Sequence, residues 1–194
     1  MVRFGMWDEI LAEPAPDPRL ASLTAGYAYA RSLAFAARGR VDDAKAALAV
    51  LERITSAAGP GDGAGLNAAR DVFAVAVLVA KARIAGVEGR DDDAVVLLTE
   101  AVSLEDRLAY DEPPDWFVPT RHMLGVALLK TNRAAEAETA YRDDLRRNRD
   151  NGWALLGLAQ ALKAQGRSAE AATARRDYDK AWTGADVVPP GSAF

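Results

Sequence analysis

The sequence predicts an all-α protein built from repeated pairs of antiparallel helices. Half of its 194 residues are hydrophobic but only 7% are aromatic, and alanine is abundant, which favours closely packed helices over a β-sandwich core. A turn motif, in which glycine or asparagine is followed by polar residues, an acid and usually alanine, recurs at Gly5, Gly39, Gly89, Asn132 and Gly166. The spacings are 34, 50, 43 and 34 residues, and 34 is a period typical of helix–turn–helix repeats.

Apolar side chains recur at helical spacing on both sides of these turns. Examples are Leu33, Leu48 and Leu51 around the second turn, and Leu155, Leu158 and Leu162 before the last. The pattern resembles the tetratricopeptide repeat family, in which helix pairs stack into a right-handed α-solenoid. Segments 3–14, 110–116 and 151–158 are similar to the C-terminal repeats of long bacterial members of unassigned function. The sequence departs from the family pattern at two positions. Arg31 stands where the family usually has leucine, and Arg149 stands where the family has the proline that closes the repeat.

The resemblance implies small residues where the two helices of each repeat touch. Helix axes only 8 to 10 Å apart leave no room for a larger side chain at the crossing. The positions that match are Ser32, Ala82, Gly125 and Ala159 on the first helices, and Ala44, Ala94, Ala137 and Ala171 on the second.

We expect residues 1–194 to form a single solenoid with two insertions. The predicted parts are a half-repeat (1–17), four repeats (about 18–54, 71–107, 116–149 and 150–183), insertions at 55–70 and 108–116, and an irregular tail (184–194). The glycine-rich first insertion predicts a flexible linker, since no Gly-Lys-Ser/Thr follows to form a phosphate loop. Paired prolines, carboxylates and aromatics in the second suggest a recognition element, with Asp115 expected to cap the helix that follows.

The half-repeat predicts an uncovered apolar end of the solenoid, because its first helix is missing. A preceding repeat of a longer protein, another chain or self-association would cover that end.

The resemblance places ligand binding on the concave face, which the first helix of each repeat lines. The candidates there are Tyr29, Arg83, His122, Trp153, Gln160 and Lys163, to which the second insertion and the next helix add Asp111, Glu112, Asp115, Trp116 and Arg121. The lysine and asparagine pair with which the best understood members clamp a terminal carboxylate is absent. Trp116 and Trp153 would either stack on a ligand or pack the insertion against the fourth repeat.

Composition excludes several classes of protein. With no cysteine and one histidine, the chain has too few ligands for a zinc finger or an iron–sulfur cluster, and it has no cysteine nucleophile. A net charge of −4 gives no basic surface for nucleic acid, and the longest apolar run, 72–80, is too short to span a bilayer. No export signal opens the chain, so we expect a cytoplasmic protein. We expect neither a cofactor nor a bound metal, because the sequence contains no nucleotide-binding loop and no dedicated metal motif.

The favoured hypothesis is a non-enzymatic scaffold that binds a protein or peptide segment on its concave face. The alternative is an enzyme or small-molecule binder in which His122 works with Asp111, Glu112 or Asp115. A third hypothesis is a self-assembling fragment of a longer repeat protein.

Overall fold

The chain folds as an all-α protein in a computed structural model that describes residues 1–193. Phe194, the last residue of the predicted irregular tail, lies outside the described residues. The structure divides into two compact units, Met1–Phe117 and Val118–Phe194. The predicted division into a half-repeat, four repeats and two insertions stays a prediction.

Unit 1 contains five α-helices and one small hairpin. After a short 3-10 helix (Val2–Phe4), the elements are α1 (Trp7–Ala12), α2 (Ala21–Ala37), α3 (Val41–Ala57), β1 (Gly63–Ala64), β2 (Asn67–Ala68), α4 (Ala69–Val87) and α5 (Asp91–Glu105). α2 packs against α3, and α4 against α5, as helical hairpins. α1 packs against α2, and its Leu11 carbonyl accepts a hydrogen bond from Arg31, at 3.0 Å.

Unit 2 contains two helical hairpins. The first is α6 (Thr120–Lys130) with α7 (Ala134–Arg147), and the second is α8 (Gly152–Ala164) with α9 (Ser168–Ala181). α7 also packs against α8, so the two hairpins share one core.

The predicted turns are confirmed. All five motif residues have a positive φ, and in four of them the residue is a glycine, which adopts this backbone conformation without steric cost. Asn132, with φ 60°, is the fifth, and asparagine is among the few other residues that tolerate it. Acidic residues in the first turns of α3 and α5 face the positive end of the helix dipole.

Ser32 and Gly125, two of the small residues predicted at helix contacts, lie at such contacts. In the first hairpin Ser32 is fully buried, and its hydroxyl donates a hydrogen bond to the Ala44 carbonyl of α3 at 3.0 Å. In unit 2 the ring of Tyr141, from α7, lies against Gly125 of α6 and Gly157 of α8, where an added Cβ would overlap it. Glycine therefore makes room for a tyrosine between two neighbouring helices.

The first insertion differs from the flexible linker that its composition predicts. β1 and β2 pair antiparallel, with Gly63 opposite Ala68 and Ala64 opposite Asn67. Gly65 has the positive φ that such a tight turn requires. The hairpin forms because residues of the second insertion hold it in place.

Among the described residues, no helix combines the length and the apolar character needed to cross a membrane.

Candidate functional site

Asn67 joins the two insertions of unit 1. Its side-chain amide donates to the Ala109 carbonyl at 3.1 Å and to Asp115 Oδ2 at 2.7 Å, and its Oδ1 accepts from the Ala109 amide at 2.7 Å. The Leu66 amide donates to Asp111 Oδ2 at 3.3 Å. The hairpin and the 108–116 loop thus form one hydrogen-bonded frame.

The predicted roles of the loop carboxylates need correction. Asp115 does not cap a helix, because α6 begins at Thr120 and Asp115 is occupied by Asn67. Asp111 and Asp115 both lie against Gly65, where a Cβ would overlap their oxygens. Glu112 is exposed and accepts a hydrogen bond from the Tyr110 hydroxyl, which raises the pKa of Tyr110. In the part of the chain that is described, no group of three or more acidic or histidine side chains is placed to hold a metal ion.

Trp116 holds the loop against the first helical hairpin. Its ring makes an edge-to-face contact with Tyr29 of α2, with centroids 5.4 Å apart, and both side chains are buried. The next residue, Phe117, touches Trp116 but is 60% exposed. Tyr110 and Leu66 are 79% and 70% exposed. The frame therefore exposes two large apolar side chains, Leu66 and Tyr110, and Phe117 follows it directly in the sequence as a third.

Tyr29 and Arg83 both bury a polar atom without compensation. The Tyr29 hydroxyl and the Arg83 Nε have no hydrogen-bond partner among residues 1–193. Burial raises the pKa of Tyr29 and lowers that of Arg83, since it disfavours the charged form in each case. The Arg83 guanidinium lies over the ring of Trp7 of α1, 6.0 Å from its centroid, and remains half-buried.

In unit 2, His122 is part of a buried polar chain. Its Nε2 lies 2.9 Å from Asp144 Oδ2 of α7, and both side chains are excluded from solvent. Asp144 Oδ1 accepts from the Asn148 side chain at 2.9 Å. His122 is thus hydrogen-bonded to Asp144, whereas the acids with which the enzyme hypothesis pairs it are bound to the hairpin or exposed in the other unit.

The remaining candidates differ in accessibility. Arg121 and Trp153 are buried, and the Trp153 ring meets Trp182 edge-to-face with centroids 5.3 Å apart. Gln160 is half-buried and its Nε2 donates to the Pro190 carbonyl at 3.0 Å. Lys163 is exposed. Among the candidates placed on the concave face, Tyr29, His122 and Trp153 are buried, because neighbouring side chains cover them.

Asn67, Asp144 and Ser192 are not predicted from the sequence, although they form contacts that hold these regions together. Asn67 and Ser192 lie in segments without helical periodicity, so no pattern marks them. Asp144 stands in an acidic and basic stretch typical of a solvated helix face, and only its buried position distinguishes it.

The fold and these contacts define an all-α helical-repeat protein. A solved structure described as the crystal structure of MamA protein is similar in fold, with a TM-score of 0.55 at 13% sequence identity, covering 89% of this chain and 81% of that chain. A second structure, described as MamA AMB-1, has a TM-score of 0.33 at 21% identity over 84% of this chain and 94% of that chain. No protein-family model and no curated protein matches the chain.

Proposed function

We propose that the chain is a tetratricopeptide-type scaffold that binds a protein or peptide segment beside the first helices of its hairpins. One observation carries the proposal. Leu66 and Tyr110 of the hydrogen-bonded frame, and Phe117 directly after it, are exposed to solvent and do not contribute to the core. Contiguous apolar surface marks interaction sites in soluble proteins, and we infer that these side chains form one such surface.

The frame is held in place before any partner arrives. Trp116 is fixed on Tyr29, and Asn67 ties the hairpin to the loop through three hydrogen bonds. A partner would therefore not have to order this surface on binding, which reduces the entropic cost of association. Tyrosine is among the residue types that contribute most to binding energy in interfaces, and phenylalanine is enriched in interface cores.

Binding fits the accessible polar groups better than catalysis does. Arg83, Gln160 and Lys163 remain at least partly accessible on first helices and offer donors to carboxylates or peptide carbonyls. His122 is enclosed with Asp144, so a substrate could not reach it without unpacking unit 2.

Selection from a random-peptide phage library on the immobilised chain tests the proposal. We expect enriched peptides whose affinity, measured by titration calorimetry, falls about tenfold in Tyr110→Ser and in Phe117→Ser, because each change removes an aromatic contact. Val96→Ser is the matched control, since Val96 is 67% exposed on α5 and is not part of the frame. No enrichment, or equal affinity in all three variants, would refute the proposed surface.

A second candidate function, self-association, rests on the exposed apolar residues at the start of the chain. Met1, Phe4 and Met6 are 50%, 49% and 39% exposed beside α1. Light scattering over a range of concentrations tests this candidate: a dimer that Phe4→Glu abolishes and Val96→Glu preserves supports it. A monomer at every concentration contradicts it.

A further inference from the structure

The segment that follows α9 lies on α6 and α8, the first helices of the two hairpins of unit 2. The Gln160 side chain donates to the Pro190 carbonyl at 3.0 Å. The Ser192 hydroxyl donates to the His122 carbonyl at 3.0 Å and lies 2.6 Å from the Tyr141 hydroxyl. Gly191 and Ser192 are buried, although the segment has no regular secondary structure.

Tyr141 contacts Ser192 through a buried hydrogen bond between their hydroxyl groups. Its ring is enclosed by α6 and α8, because Gly125 and Gly157 leave the space for it, and the side chain is fully buried. Burial raises the pKa of Tyr141 and keeps its hydroxyl neutral. A buried hydroxyl costs free energy unless it is hydrogen-bonded, and Ser192 supplies the bond.

The segment is held through a backbone carbonyl, one small hydroxyl and a buried proline, Pro189, rather than through large side chains. Val187 and Val188 are 40% and 82% exposed, so neither contributes much apolar burial. The Val187 carbonyl accepts from Trp182 Nε1 at 2.5 Å, just as the Pro190 carbonyl accepts from Gln160. Pro189 and Pro190 favour an extended backbone and lower the entropy that is lost on binding.

We propose that the surface formed by Gln160, Tyr141 and the His122 carbonyl is a binding site for an extended Pro-Pro-Gly-Ser segment of a partner protein. The chain's own residues 187–193 fill this site in the structure and compete with the partner. The inference rests on the proposed scaffold function and adds the chemistry of the ligand. A partner of this kind places a serine hydroxyl on Tyr141 and a proline carbonyl on Gln160.

The test uses a fluorescein-labelled peptide with the sequence of residues 186–193 and measures its binding by fluorescence anisotropy. The receptors are the unmodified chain and the Ser192→Trp variant. An indole does not fit at this position, where the serine is 2% exposed, so the substitution should release the chain's own segment from the site. We expect the peptide to bind Ser192→Trp at least tenfold more tightly, since a tethered segment competes at an effective concentration in the millimolar range. A peptide with alanine in place of serine should bind several-fold more weakly.

A second receptor variant controls for misfolding of Ser192→Trp. A chain that ends after Asp186 removes the segment altogether, and circular dichroism with thermal unfolding reports whether each variant is folded. Folded variants that bind the peptide no better than the unmodified chain would overturn the inference. A dimer of the unmodified chain that Ser192→Trp loses would also overturn it, since a second copy of the chain would then supply the segment.

The two proposals fail separately. The phage selection with Tyr110→Ser and Phe117→Ser examines unit 1, whereas the labelled peptide examines unit 2. Loss of peptide binding with the phage result intact removes the ligand assignment alone. If neither the phage selection nor the labelled peptide gives binding, the proposed scaffold function is refuted.

Discussion

His122 Nε2 and Asp144 Oδ2 lie 2.9 Å apart in the interior of unit 2, and neither side chain reaches solvent. The only histidine of the sequence is therefore part of the packing between α6 and α7. Removing one member of such a buried pair is strongly destabilising, because the other member stays buried without it.

His122→Ala should lower the free energy of unfolding by about 3 kcal/mol, because Asp144 then remains buried without its imidazole partner. Urea unfolding measures the change. Lys163→Ala is the control, since Lys163 is exposed on α8 and its loss should cost little. A His122→Ala variant with unchanged stability but reduced ligand affinity would contradict this prediction and would indicate that His122 belongs to the binding site.

The two buried tyrosines should respond to phenylalanine with opposite signs. Tyr29→Phe removes a hydroxyl that has no partner among the described residues, so we expect a gain of up to about 1 kcal/mol in stability. Tyr141→Phe removes the hydroxyl that pairs with Ser192, so we expect a loss of about 1 kcal/mol. Thermal and urea unfolding of both variants measure the difference. Equal changes would show that Tyr29 finds a partner in solution.

Alkaline pH should destabilise the chain through the same two tyrosines. Burial raises the pKa of Tyr29 and of Tyr141 above the ordinary value, so both keep their protons in the folded state when the unfolded chain loses them. Their contribution is complete below about pH 10 and is lost as pH rises, by up to about 1.4 kcal/mol per pH unit for each tyrosine. Urea unfolding between pH 8 and about 11.5 should show a steeper fall for the unmodified chain than for the double phenylalanine variant. Parallel curves would refute this cause.

Glycine-to-alanine changes should separate tight packing from simple helix propensity. Gly125→Ala places a methyl group against the Tyr141 ring and should cost about 1–3 kcal/mol. Gly26→Ala is the matched control in α2, where nothing lies within 4 Å of the added carbon, and it should stabilise the chain by about 0.5–1 kcal/mol. Unfolding midpoints of the two variants should therefore shift in opposite directions. A neutral Gly125→Ala would mean that α6 and α7 are less closely packed than the structure has them.

Local signals in the sequence predicted the parts of the fold that local chemistry decides. The turns at Gly39, Gly89 and Gly166 follow from a backbone conformation that favours glycine, and Ser32 at the first helix contact follows from the close approach of helices. These features repeat, so each occurrence supports the others.

The candidate site was predictable only in part, because its accessibility depends on residues far apart in the sequence. Tyr29 is covered by Trp116, and the hairpin is fixed by the contact of Asn67 with the second insertion. Neither contact produces a periodic pattern in the sequence. The prediction that residues 108–116 form a recognition element stays a proposal, supported by the exposure of Tyr110.

Hydrogen–deuterium exchange, with and without a peptide selected from the phage library, tests the proposed binding surface most directly. We expect slower exchange of backbone amides in 63–68 and 108–117 when the peptide is bound, with α5 around Val96 unchanged. Protection confined to α5, or to no part of unit 1, would contradict it.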